Sequence, residues 1–274
     1  MIPSFFPFTE GKEIEWIELN LLKNSQPISK STIISLIPQP DDDDDLSEVM
    51  ESLIDSWFSE LIDRNYNLPT SFYELKGNTI YPNYSWMEYP EYFLCLYFSY
   101  AGASHDPNGT KLFERISANT IKNFIGGEIF TFGFPSNKNL NDFLNDVVPV
   151  CYEERGVRAN NDYKDDGVDV LCYKTFDDNK SSNLYVLLQC AAGNNWKSKR
   201  PIHIGRWTTY LLWSSNNILT SISTTDYVST RQWSKSASDF GILLDRNRIL
   251  SWYIKSIDII LRREVIIWCS DKVA

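Results

Sequence analysis

The sequence predicts a mixed α/β fold, and three observations point there. Residues 46–62 and 110–125 carry apolar side chains at helical spacing, residues 168–176 and 184–190 read as two strands joined by a polar turn at 177–182, and a mostly helical stretch follows Pro201. Helices before and after a group of strands imply a mixed central sheet flanked by helices. With 274 residues, 43% of them hydrophobic, the chain can bury a sizeable core in one large or two small domains. The boundary is expected near residue 100, with an N-terminal α+β accessory region at 1–100 and a second domain at 101–274.

The first forty residues mix an apolar segment at 14–22 with a Ser-led one at 31–37 and end in Pro38-Gln39-Pro40. Five aspartates follow at 41–45; they repel one another and read as a solvated loop feeding a helix N-terminus, where the dipole favours carboxylates. In that helix Leu46, Val49, Met50, Leu53, Ile54, Trp57, Phe58, Leu61 and Ile62 share one face. Residues 70–100 are aromatic-rich. A hairpin turning at Lys76-Gly77-Asn78 precedes Pro82, and the half after Pro90 is helix or strand, a choice periodicity leaves open. Without interleaved Arg and Lys, these rings read as core rather than as a base-stacking surface.

After a small polar loop at 101–109, the helix over 110–125 turns Leu112, Phe113, Ile116, Ile121 and Phe124 inward and stops at Gly126-Gly127. A short strand is expected at 129–134 and a helix over 140–154, interrupted late by Pro149. The two strands come next, then 194–213, mostly helical after Pro201, a Thr/Ser-rich strand at 218–225 and an amphipathic segment of open type at 254–267. Residues 226–253 receive no secondary-structure assignment.

The net charge of −10 argues against a surface that coats nucleic acid everywhere, so any phosphate-facing region is local. Cys95, Cys151, Cys172, Cys190 and Cys269 include no C-x-x-C pair and read as buried free thiols in a reducing compartment. No apolar run reaches membrane-spanning length, and the N-terminus lacks the pattern of a secretory leader, so a cytoplasmic protein without membrane contact is expected. No phosphate-binding Gly-Lys-Ser/Thr loop occurs, and His105 beside Asp106 has no Ser or Cys nucleophile at recognisable spacing. Arg246 and Arg248 read as members of a carboxylate network, and Arg262-Arg263 as an exposed helix face.

Residues 164–199, KDDGVDVLCYKTFDDNKSSNLYVLLQCAAGNNWKSK, carry the chemistry. Hard carboxylate oxygens bind a divalent cation, and a nearby ammonium offsets charge on a phosphate. Asp165 and Asp166 read first as turn residues. Asp169 differs, because an acid inside an apolar strand is costly unless it sits at an edge or is paired. Gln189 closes the next apolar run, and a hairpin would bring the two ends together, so that a metal could bridge an acidic and an amide oxygen. Lys197, Lys199 and Arg200 form the densest basic patch, with Arg206 close by.

The sequence GVDV, a hairpin, and a second strand ending LLQC resemble the PD-(D/E)xK restriction-endonuclease superfamily, in its Mrr-like branch with Gln in place of Glu. The resemblance covers residues 110–227. It implies a core ordered helix, strands, helix, strand, and a metal-dependent nuclease hydrolysing phosphodiester bonds with Mg²⁺ or Mn²⁺. It further implies Asp169 as principal metal ligand, Gln189 at the usual Glu position and Glu114, in LFERIS, as an outer carboxylate. The family pattern asks for Lys two residues after Gln189, where this chain has Ala191. Lys199, or in second place Lys197, is expected to reach back and stabilise the phosphate. The phrases QCAAGNNWKSK and LDRNRI also resemble nuclease-like proteins of bacterial defence islands, which implies a role in antiphage defence. DNA rather than RNA is the implied substrate, delivered to an acidic protein by an ATPase, a helicase or a second copy of the chain.

Two other readings compete with this one. Ala191 is compatible with an inactive nuclease fold acting as a nucleic-acid-binding or assembly subunit. The N-terminal hundred residues are compatible with a sensor or adaptor that binds a protein partner.

Overall fold

A computed structural model describes residues 4–37, 46–132, 139–160, 165–216 and 218–274. The aspartate run at 41–45, Lys164 and the end of the strand expected at 129–134 lie outside them. In chain order the N-terminal elements are α1 (Glu13–Asn24), β1 (Ile28–Ser29), α2 (Lys30–Leu36), α3 (Leu46–Tyr66), β2 (Tyr73–Lys76), β3 (Thr79–Pro82) and α4 (Pro90–Ala101). Then come α5 (Pro107–Ile125), β4 (Glu128–Thr131), α6 (Leu140–Cys151), β5 (Glu154–Arg155), β6 (Val170–Lys174) and β7 (Leu184–Ala191). After a single 3-10 turn at Trp196–Ser198, the chain finishes with α7 (Ile204–Tyr210), β8 (Leu211–Leu212), β9 (Ile218–Thr224), α8 (Thr230–Phe240), β10 (Ile242–Leu244), α9 (Arg246–Tyr253) and α10 (Ile259–Val273).

Among the described residues the central sheet is mixed and ordered β10-β9-β7-β6-β4. β4, β6 and β7 run antiparallel to one another in turn, whereas β7, β9 and β10 are parallel. Side chains alternate across the strands, so the sheet has two buried faces. Val170, Cys172, Val186 and Leu188 join the apolar face of α5, and Leu171, Tyr185 and Leu187 pack instead with Leu144, Val147 and Trp207 from α6 and α7. The two helical layers therefore cover opposite faces of one α/β sheet.

Local chemistry sets the element ends. Asp106 caps α5 by accepting the Gly109 N–H at 2.8 Å, and Pro107 occupies the first turn, so this helix starts three residues earlier than the pattern at 110–125 implies. Gly126 closes it in the left-handed region. The hairpin at 73–82 turns on Gly77-Asn78 alone, since Lys76 already pairs with Thr79. The aromatic segment after Pro90 is the buried helix α4, and the C-terminal segment of open type is α10.

The helix expected after Pro201 is the seven-residue α7, and the segment ahead of the proline holds only the 3-10 turn, because Pro201 lacks an N–H and biases its predecessor away from helix. Three expectations are corrected. α3 buries Ile54, Phe58 and Leu61 but leaves Val49 and Leu53 exposed. Phe124 lies at the surface, edge-on to Trp252 at 5.0 Å, rather than in the core. α6 ends at Cys151, where Tyr152 turns left-handed at φ 56°.

The N-terminal elements share one apolar cluster with the sheet: Trp16, Phe58, Phe93 and Phe98 belong with Phe113, Leu188 and Leu250. A buried polar network crosses the same region. Arg246 Nη2 donates to Glu18 Oε2 at 2.7 Å with both side chains fully enclosed, and Arg64 Nη1 donates to Glu15 at 2.6 Å. Tyr73 and Tyr92 donate their hydroxyls to the other Glu18 oxygen. Arg246 thus belongs to a structural network, as its sequence context implies. No helix among the described residues is long and apolar enough to cross a membrane.

Candidate active site

The first paired residue of β6, Val170, sits opposite Leu188, and continuing the antiparallel register by one step sets Asp169 across from Gln189. The Asp169 backbone is fixed on both sides: its N–H donates to Leu188 O at 2.9 Å, and its carbonyl accepts the Phe132 N–H at 2.7 Å. Its Oδ2 accepts the Cys190 N–H at 2.6 Å, which aims the carboxylate along the open end of the sheet. Asp166 and Gly167 enter the strand through consecutive left-handed conformations, φ 47° and 80°, which favour Gly at the second position. The Asp166 carboxylate accepts from Arg206 at 2.7 Å and from the Tyr210 hydroxyl at 3.2 Å, pinning this turn to α7. Asp166 and Arg206 are therefore positioning residues here.

Glu114, half-buried on the flank of α5, shares a small cavity with Asp169, Lys111, Thr131 and Val170. It also borders a larger cavity of about 280 Å³, walled by Thr110, Cys190, Ala191, Gly193, Asn195 and Lys199. Burial pushes the Asp169 carboxyl up to about 7; the Cys190 N–H opposes that rise, the charges of Glu114 and Asp165 add to it, and Lys199 works against it. Glu114 is likewise raised, first by burial and then by Asp165, with Lys111 and Lys199 pulling the other way. The structure thus brings Glu114, Asp165, Asp169 and Lys199 into one electrostatic group. Asp165 was set aside by the sequence as a turn residue, and it does make that turn, its Oδ1 accepting the Gly167 N–H at 2.9 Å. The signal for its second role is the Asp-Asp-Gly step leading straight into Val168-Asp169.

Gln189 lines neither cavity. It is next to Asp169 by register, and its amide nitrogen lies beside Gly167. Its Oε1 is enclosed and has no hydrogen-bond partner among the described residues. Lys197 lies over the Trp196 ring at 5.6 Å, apart from both cavities. Between the two lysines, the geometry favours Lys199. Ala191 is 2% exposed and packs with Trp196, Ile222 and Phe240, so a lysine rooted there would crowd that cluster.

Other sequence candidates resolve into structural roles. Asp106 accepts from Gly109, Trp268 and Lys272 and is not oriented by His105, which is exposed. All five cysteines are buried and free, and burial raises each thiol above its ordinary value. None has the character of a nucleophile.

No group of three or more His, Cys, Asp and Glu among the described residues is arranged to hold a metal. That disfavours zinc-type coordination, but Mg²⁺ commonly takes one or two protein carboxylates and completes its shell with water. Glu114 and Asp169 are two carboxylates that border one small cavity. Comparison of the chain with protein-family models, with curated proteins and with solved structures finds no match.

Proposed function

We propose that the chain is a metal-dependent nuclease with a restriction-endonuclease-like core, hydrolysing phosphodiester bonds in DNA. The observation that carries this reading is the acidic group at the open end of β6 and β7, where burial first and then Glu114 and Asp165 lift Asp169 to about 7, with Lys199 opposing the rise. Such crowding is unfavourable in the free protein and is relieved by a cation. With α6 and β5 inserted between β4 and β6, and β8 between α7 and β9, the order α5, β4, β6, β7, α7, β9 is compatible with the helix, strands, helix, strand arrangement that the sequence resemblance implies.

In this reading Asp169 and Glu114 hold Mg²⁺ or Mn²⁺, and Gln189 Oε1 is an enclosed acceptor beside them by register. Bound there, the ion supplies Lewis-acid stabilisation of phosphoryl charge and lowers the pKa of a coordinated water. The Cys190 N–H fixes the Asp169 carboxylate before substrate arrives. Lys199 offsets charge on the phosphate oxygens from the other wall of the 280 Å³ cavity. Its loop is anchored by Trp196, whose indole N–H donates to Asp226 Oδ2 at 2.9 Å.

The test is cleavage of supercoiled plasmid and of labelled single strands by full-length protein, with Mg²⁺ or with EDTA, beside Asp169→Ala. Metal-dependent nicking that the substitution abolishes is expected. Absence of cleavage by the wild type with either substrate, Mn²⁺ included, would overturn the enzyme reading. Buried Ala191 favours one second reading, an inactive nuclease fold that binds nucleic acid through exposed Lys197, Lys199 and Arg200. Salt-sensitive DNA binding without cleavage is its signature.

A further inference from the structure

A third cavity, about 240 Å³, opens between α8 and α9 and is absorbed by none of the chemistry above. It lies beyond the C-terminal ends of the parallel strands β9 and β10, a common place for ligands in α/β sheets. Tyr227 and Val228, which follow β9, form one wall; Asp245, Asn247 and Arg248, which follow β10, form another. Trp233 of α8 stands across the opening with the Arg248 guanidinium 4.3 Å from its ring centre, and Arg248 is itself held by donating to Leu243 O at 3.0 Å. The aromatic platform is therefore fixed in advance.

The polar wall is rich in acceptors. Asp245 takes backbone N–H groups from Val228 and Arg248, and burial raises its carboxyl. Asn247 is 5% exposed; its Nδ2 is committed to Arg64 O at 3.1 Å, and its Oδ1 has no hydrogen-bond partner among the described residues. An enclosed, unsatisfied amide oxygen costs stability unless something with an N–H reaches it. The oxygen is closed off from water, so that donor must press aside part of the cavity wall. A flat ring packed against the Trp233–Arg248 pair, with N–H donors on its edge, matches both features.

We infer that this cavity takes an unstacked nucleobase, whose edge N–H donates to Asn247 Oδ1. Its position says more, on the condition that the nuclease reading holds. β7, β9 and β10 end on the same edge of the sheet, with Ala191 opposite Thr224 and Leu244 opposite Ser223. The cavity is thus on the same rim as Asp169, three strand spacings away, about 14 Å. Asp226 links the two sites: it accepts the Trp196 indole N–H on the Lys199 side and immediately precedes Tyr227. One single strand can place a base against Trp233 and a neighbouring phosphate near Glu114 and Asp169. The substrate would then be single-stranded or locally opened nucleic acid.

Calorimetric titration of the full chain with adenosine, cytidine, uridine and a short single-stranded oligonucleotide tests the inference. Wild type should bind at least one of these nucleosides, and Trp233→Ala should lose about tenfold, the scale of one base-stacking contact. Thr230→Trp, at an exposed cavity-lining position, should block the opening without touching the core. Asp169→Ala should leave nucleoside binding unchanged. An oligonucleotide that binds more tightly than the nucleoside identifies a strand as the ligand; equal affinity identifies a free nucleoside. Failure of every nucleobase to bind, or binding indifferent to both Trp233→Ala and Thr230→Trp, overturns the pocket even if plasmid is cleaved. Nucleoside binding by a protein that cleaves nothing retains the pocket and sinks the nuclease reading.

Discussion

The Asp169 carboxylate accepts the Cys190 backbone N–H at 2.6 Å, so the start of β6 and the end of β7 are joined through a side chain where the strand pairing stops. That bond stabilises the ionised carboxylate, but burial and the neighbouring acids outweigh it and the group titrates near 7. The consequence for stability has a definite sign. An acid whose folded pKa lies above its unfolded value near 3.8 keeps its proton in the folded state longer, so the fold loses stability as pH rises from about 4 to about 7. Thermal melting of wild type at pH 5 and pH 8 should therefore show a downward contribution that Asp169→Asn removes. An identical pH dependence in the variant would contradict the assignment. Mg²⁺ should raise the melting temperature more at pH 8 than at pH 5.

Gln189 offers a prediction that runs against the usual rule for polar truncation. Its Oε1 is already enclosed without a partner, so Gln189→Leu should change stability by less than about 1 kcal/mol, measured by urea unfolding. A loss of several kcal/mol would mean that the amide is fully satisfied. Gln189→Glu should instead destabilise the protein without metal and tighten Mg²⁺ binding.

The two lysines should separate in kinetics. Lys199 borders the cavity that Glu114 enters, whereas Lys197 rests on Trp196. Lys199→Ala should lower the cleavage rate by about 100-fold or more, the scale of losing one stabilising contact to the transition state, while Lys197→Ala should change it by less than about threefold. The reverse ranking would place the phosphate elsewhere. Ala191→Lys should cost roughly 2 kcal/mol by overpacking, without rescuing Lys199→Ala.

Arg246 and Glu18 form a fully enclosed pair at 2.7 Å that fastens α1 to α9. Arg246→Met leaves the Glu18 carboxylate without its cation, and a loss of about 3–5 kcal/mol in urea unfolding is expected. A loss below about 1 kcal/mol would mean that the network contributes little to joining the N-terminal helices to the sheet.

The residues that were legible from sequence are those whose signal is local. Gly77-Asn78 announces its own turn, Gly126 its own helix stop, and Asp169 stands out as an acid leading into an apolar strand. The unassigned stretch 226–253 holds α8, β10 and α9, which have no such signal. α8 is polar along most of its length, β10 has three residues, and α9 buries Arg246 and Asn247, residues that composition assigns to the surface. Arg246 is buried because Glu18 lies opposite it, 228 positions away in sequence, and no local window contains that fact. The ranking of Lys199 ahead of Lys197 had no local signal to fix it, for a related reason. The extended backbone before Pro201 and the single 3-10 turn at Trp196–Ser198 decide which lysine borders the cavity.

The most direct test of the central claim is Mn²⁺ binding followed by electron paramagnetic resonance in wild type, Glu114→Ala and Asp169→Ala at pH 8, where Asp169 is ionised. One protein-bound Mn²⁺ that Mg²⁺ displaces, weakened by Glu114→Ala and abolished by Asp169→Ala, is the predicted result. Equal binding by all three proteins, or no binding by any of them, would contradict the account.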